Sequence, residues 1–248
     1  MPKTRGLDGA QLKWIALVTM LLDHVGLTLV YMGYLLTHRV DRSPAALPLY
    51  WALRSVGRLA FPLYCFLLTE GLRHTHDRSR YLLRLLAFGL LSEIPFDLAF
   101  RRTWLEAGHQ NVFFTLAIGL LALLLWEELT EGRGLQAPLR QKLPATLAIF
   151  GTLVLAWLLK TDYGAPGVLL IVVLYLLPQA SLEQTLSVLA VLGLMIAFGS
   201  HWIELLGALS LLLIRAYNGE RGKQPRALFY LFYPAHLLLL AGLRTLIW

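Results

Sequence analysis

The chain has 248 residues, of which 57% are hydrophobic and only 15% charged, with a formal charge of +7 and a single cysteine. Soluble domains of this length carry ~25% charged residues, so the composition excludes a soluble globular protein and points to an integral membrane protein. The basic excess sits in short loops between apolar runs, where topogenic charge and anionic lipid account for it and no nucleic-acid partner is required; the lone Cys65 excludes an internal disulfide and a cysteine-based zinc cluster.

Apolar segments fall at about 10–36, 56–73, 81–100, 111–128, 143–159, 164–178, 184–199, 202–217 and 226–247. At ~20 residues per crossing they predict an all-α, polytopic membrane helix bundle of about nine transmembrane helices, with eight to ten open because two runs are short. They form one transmembrane domain spanning 1–248. The start MPKTRG is basic, but the apolar run after it is longer than a signal core and ends without a small-x-small site, so it is expected to stay in the membrane. With nine spans, twelve Lys and Arg fall on the N-terminal side and seven on the other, which predicts a cytoplasmic N-terminus.

Polar residues interrupt the apolar runs, and each ionisable group in hydrocarbon costs at least ~3 kcal/mol unless it is paired or hydrated. His24 lies eleven residues beyond Lys13, ~17 Å along a helix axis, which places Asp23 and His24 at or past the midplane. A neutral imidazole there suits proton abstraction from an attacking hydroxyl or amine, and it equally suits a structural hydrogen bond between helices. Adjacent helical residues diverge, so Asp23 is expected to reach a different helix rather than His24. Arg58 opens the second run, and Ser92, Glu93 and Asp97 close the third around Pro95.

Arg73, His74, His76, Arg78 and Arg80 crowd the turn between the second and third runs, with Arg84 a full turn inside the third. Such a cluster binds phosphate or simply meets anionic lipid. Glu70 and His74, four apart, suit an ion pair at a helix end, and with a further histidine they would suit a metal, for which the ExxxH spacing is a weak signal. Gln110 and Asn111 offer amides for a substrate carbonyl or for backbone freed by Pro95. Asp162 and Tyr163 stand in TDYGAPG, either binding substrate or turning the chain. In the last run Tyr230, Tyr233 and His236 recur around Pro234, and His236 at mid-depth needs a partner. No ligand set requires a metal.

The stretches LDGAQLKWIALVTMLLDHVG, GRLAFPLYCFLLTEGLRHTHDRSRYLLRLL, LLSEIPFDLAF, HQNVFFTLAIGL, DYGAPGVLLI and FYLFYPAHL, in this order, resemble the TraX family of conjugal-transfer proteins over nearly the whole chain. The resemblance implies N-terminal acetylation of a pilin at the bacterial inner membrane. A more distant similarity connects these proteins to membrane acyltransferases that O-acetylate sugars, which carry a basic residue and a histidine in their first span at the spacing of Lys13 and His24.

Together these readings predict a multi-pass inner-membrane acetyltransferase that moves acetyl from cytoplasmic acetyl-CoA to an acceptor near the outer face, either the amine of a pilin-like protein or an envelope glycan. His24 would be the general base or the acetyl carrier, with Asp23 and Glu93 as catalytic carboxylates. Lys13, Arg80, Arg84 and His74 would hold the donor. Arg58, Glu70, Asp97, Gln110, Asn111, Asp162, Tyr163, Tyr233 and His236 would line the acceptor side. Two other classes fit the same polar residues: a small-solute transporter, which would typically show internal repeats, and a non-catalytic assembly factor for a pilus or envelope complex.

Overall fold

The computed structural model describes residues 6–36, 45–223 and 226–247. Lys3, Arg5, Arg39 and Arg42, which enter the charge asymmetry, lie outside the described residues, as does the side chain of Arg226. The structure is all-helical: α1 Gly9–Val25 continues as a π-helical stretch Gly26–Leu35, followed by α2 Ala46–Gly57, α3 Ala60–Arg73, α4 Arg78–Phe100 and α5 Val112–Leu129. Then come α6 Leu139–Leu158, α7 Gly164–Leu176, α8 Leu182–Ala197, a 3₁₀ stretch Trp202–Leu209, α9 Ser210–Arg215 and α10 Arg226–Ile247. Among the described residues no strand forms, and the only β-type pairings are the isolated bridges Leu7 with Tyr217 and Gln110 with Thr161.

Local chemistry sets the helix starts. Asp8 Oδ1 accepts from the Gln11 amide at 2.8 Å while Gln11 Oε1 accepts from the Asp8 amide at 2.9 Å, a reciprocal cap that satisfies two donors at the head of α1. Asn111 and Ser181 each supply a one-way cap to α5 and α8, Asn111 Oδ1 accepting from the Phe113 amide and Ser181 Oγ from the Gln184 amide.

Among the described residues four helices are long and apolar enough to cross a bilayer: Gly9–Leu35, Val112–Leu129, Leu139–Leu158 and Leu228–Ile247. Gly164–Leu176 and Leu182–Ala197 are apolar but shorter. α6 divides into an exposed apolar face and a buried one. Leu143, Leu147, Phe150, Val154 and Trp157 recur every three or four residues and are exposed, while Ala145, Ile149, Thr152 and Ala156 on the opposite side are buried. Mostly small residues face protein and the largest apolar ones face outward, the reverse of a soluble helix.

Two sequence expectations change. The segment 56–73 is not one helix: α2 ends at Gly57 and α3 begins at Ala60, and α2 itself was not visible as an apolar run because Pro48, Arg54 and Ser55 dilute it. The run 202–217 is not one span either, because it divides into a 3₁₀ stretch and a six-residue helix.

The chain forms two compact units, one of residues 1–64, 91–106 and 201–248 and the other of residues 65–90 and 107–200. In the first, α1 and its π-helical continuation pack against α2 and α10, around Leu12, Ala16, Ile203, Ile214 and Leu237. In the second, α5 packs against α6 and α7, with Leu120, Leu123, Leu170 and Ile171 fully buried. Lipid is as apolar as these side chains, so packing fit and polar contacts, rather than exclusion from water, select the partners.

Candidate functional site

Asp23 and His24 are consecutive in α1 and so point ~100° apart around the helix. Asp23 turns to α2, where both carboxylate oxygens form ion pairs, one with Arg54 and one with Arg58. Arg58 also reaches Glu204 Oε1 of the 3₁₀ stretch at 2.6 Å, and its Nε donates to the Arg54 carbonyl at 3.3 Å. Asp23, Arg58 and Glu204 are all buried. Two carboxylates and two guanidiniums thus cancel within one cluster, which is how such groups persist in apolar surroundings where a single uncompensated ion costs several kcal/mol. Gly57 admits the arrangement, because a Cβ there would overlap the Asp23 side chain.

His24 turns the other way, to α10. Its Nδ1 lies 2.7 Å from Nε2 of His236, and Nδ1 of His236 lies 2.7 Å from the Phe232 carbonyl oxygen. The two rings are parallel within 1° with centroids 5.0 Å apart. Together with the short N···N distance, this is an in-plane, ring-to-ring hydrogen bond. Phe100 and Tyr233 present edges to His24 at 5.3 and 6.1 Å. His236 and Tyr233 are buried, His24 half-buried. The partner that His236 requires is therefore His24 itself, and the first and last helices meet there.

In the same unit, Ser92, Glu93 and Asp97 of α4 are buried. Asp97 Oδ2 accepts from the Glu106 amide at 2.7 Å and ties down the turn after α4. Arg244 of α10 donates to the carbonyls of Ala99 and Leu98 at 2.6 and 2.9 Å, closing the carboxyl end of α4, where a cation is favoured. Lys13 holds its ammonium over the Phe229 ring, 5.5 Å from the centroid.

In the second unit, the Asn111 amide is used on both sides: Oδ1 caps α5, and Nδ2 donates to the Gly89 carbonyl at 2.8 Å. Gln110 donates to the Ala107 carbonyl, and its backbone amide to that of Lys160. Asp162 lies 3.4 Å from His109 Nε2, and the Tyr163 amide is 3.4 Å from Thr115 Oγ. These residues hold the two turns together.

The basic turn lies here too. Arg80 pairs with Asp77 at 2.9 Å, and the exposed Arg84 guanidinium lies over the Tyr81 ring at 5.6 Å. Glu70 does not pair with His74. Its carboxylate takes Arg73 at 2.6 Å, and the His74 ring donates to the Glu70 backbone carbonyl at 2.8 Å. A permanently charged guanidinium three residues on outcompetes an imidazole four residues on. Arg78 pairs with Glu127, which also accepts from the Tyr175 hydroxyl. A cavity of about 300 Å³ opens among Arg73, Trp126, Glu127, Arg133 and Tyr175, and His74, Arg80 and Arg84 are not among its lining residues.

Three residues that matter were missed from the sequence. Arg54 and Arg244 enter the sequence argument only as two of the seven Lys and Arg on the side opposite the N-terminus, and Glu204 does not enter it. The signal for Glu204 was available, since it is the only acid within the apolar run 202–217.

The model of a family described as "TraX protein" matches residues 8–244. The chain is also 31% identical to a probable fimbrial assembly protein FimC, serogroup H1, of Dichelobacter nodosus, over 98% of each chain. No solved structure matches.

Proposed function

The chain belongs to the TraX family, and from that membership we propose that it is a membrane-embedded acetyltransferase moving acetyl from acetyl-CoA to an amine or hydroxyl acceptor. The observation that supports this reading best is the ring-to-ring hydrogen bond of His24 with His236. An imidazole in each of two largely apolar spans, Gly9–Leu35 and Leu228–Ile247, has a cost that lipid packing alone does not explain. Acyl transfer needs a base of this kind, to take the acceptor's proton as it attacks the thioester and to return it to the leaving thiolate. Arg80 and Arg84 would engage donor phosphates.

A pilin-like amine is the first acceptor to test, because the relative's name associates it with fimbrial assembly. An envelope sugar hydroxyl is the alternative with the same chemistry. We place the protein in the bacterial inner membrane, with its N-terminus cytoplasmic and the acceptor used at the outer face. Detergent-purified protein incubated with acetyl-labelled coenzyme A and cell envelope should transfer label to the acceptor. His24→Ala should abolish that transfer while melting as a folded protein, and a variant that transfers at the wild-type rate would remove His24 from the mechanism.

A second reading has its own support. Asp97, Gln110, Asn111 and Asp162 all contact other residues of the chain, as they would in a non-catalytic assembly factor. Acetyl-CoA turnover by the purified wild type, present or absent, separates the two.

A further inference from the structure

The imidazole pair can be assigned proton by proton. A backbone carbonyl only accepts, so Nδ1 of His236, 2.7 Å from the Phe232 oxygen, carries hydrogen. In the neutral ring Nε2 is then bare, and this is the atom 2.7 Å from His24 Nδ1. Two bare nitrogens do not rest at that distance, so His24 Nδ1 carries hydrogen and donates. The basic atom of His24 is consequently Nε2, which points away from the pair.

We propose that His236 is a positioning residue: it holds His24 in the tautomer whose Nε2 accepts the acceptor's proton, and the Phe232 carbonyl in turn fixes His236. The inference rests on the acetyl-transfer reading given above. As the acceptor nitrogen or oxygen bonds to the thioester carbonyl carbon, its proton passes to His24 Nε2. The C–S bond then breaks, its electron pair leaves on the coenzyme A sulfur, and the Nε2 proton goes to that sulfur. While His24 is doubly protonated, its Nδ1–H bond to His236 Nε2 stabilises the charge. The order carbonyl, positioning ring, reacting ring follows the logic of a triad in which the outer group sets the tautomer of the base.

Two variants separate this role from mere packing. His236→Gln keeps a carbonyl oxygen near the place of Nε2, so His24 Nδ1–H retains an acceptor; His236→Met fills the space without one. In protein labelled with ¹⁵N-histidine and held in nanodiscs, the wild type and His236→Gln should show His24 with Nδ1 protonated and Nε2 bare. His236→Met should show both tautomers. Acetyl transfer should fall ~10²- to 10⁴-fold in His236→Met, and His236→Gln should recover at least ~10-fold of that loss. A wild-type spectrum with hydrogen on His24 Nε2 overturns the assignment, as does wild-type transfer by His236→Met. If His236→Met does not fold, the wild-type spectrum and the His236→Gln rate still decide the matter. A wild type with the expected tautomer but no transfer overturns the enzyme reading instead, and the proposed role with it.

Discussion

Gly57 and Asp23 share a space that holds only one side chain. A Cβ on Gly57 would overlap the Asp23 carboxylate, which occupies the notch left by the missing group and meets Arg54 and Arg58 there. Neither residue has a positive φ to explain it; the glycine is required by close approach of α1 to the end of α2.

Gly57→Ala should therefore destabilise the protein by about 1–3 kcal/mol, the usual cost of forcing one extra carbon into a filled site. The displaced carboxylate would add to that figure. Thermal unfolding of the detergent-purified variant measures it, and an unchanged melting curve would show that Asp23 moves aside freely.

Arg58 bridges two carboxylates, those of Asp23 and Glu204. Arg58→Met should cost about 3–5 kcal/mol, because it leaves buried charge uncompensated at Glu204 and halves the compensation at Asp23. Adding Glu204→Gln to Arg58→Met should recover part of the loss, with a coupling of ~0.5–3 kcal/mol. Additive losses in a double-mutant cycle would mean that the two residues stabilise independently.

Arg84 of the basic turn lays its guanidinium over the aromatic face of Tyr81. Under the acetyl-CoA reading, Arg84→Ala should weaken donor binding ~10- to 150-fold, the effect of losing one charge-assisted contact of roughly 1.5–3 kcal/mol. Turnover at saturating donor should change less. Calorimetry with acetyl-CoA returning the wild-type dissociation constant would assign Arg84 to lipid or to its contact with Tyr81.

Orientation is open to direct labelling. In a Cys65→Ala background, cysteine at Trp104 or Asp162 should react with impermeant reagent added to intact spheroplasts, and cysteine at Arg78 should not. Trp104 and Asp162 are exposed, whereas Asp97 is fully buried and would report nothing. The reverse pattern would place the N-terminus outside and the acceptor side in the cytoplasm.

The helices were legible where composition changes sharply. α1, α5, α6 and α10 follow from long apolar runs, and the head of α1 from Asp8 and Gln11 three residues apart. α2 was not legible, since a helix carrying Pro48 and Arg54 beside a buried ion cluster has neither the apolar run of a span nor the period of a surface helix. At the site, the sequence showed that Asp23 and His24 must face different neighbours but not which ones. Their partners stand 31, 35 and 212 residues away, and no local period connects such distances. Asn111 was legible as a residue that serves the backbone or a ligand, and only packing against Gly89 shows that the backbone takes it.

The ring-to-ring contact of His24 with His236 spans 212 positions, from the first helix to the last. A ribosome adding ~5–20 residues per second needs roughly 10–40 s to make the intervening chain. Through that interval the first helix exists with His24 and without its partner ring. The contact is thus completed only once α10 has been made, and a chain terminated before His236 lacks it.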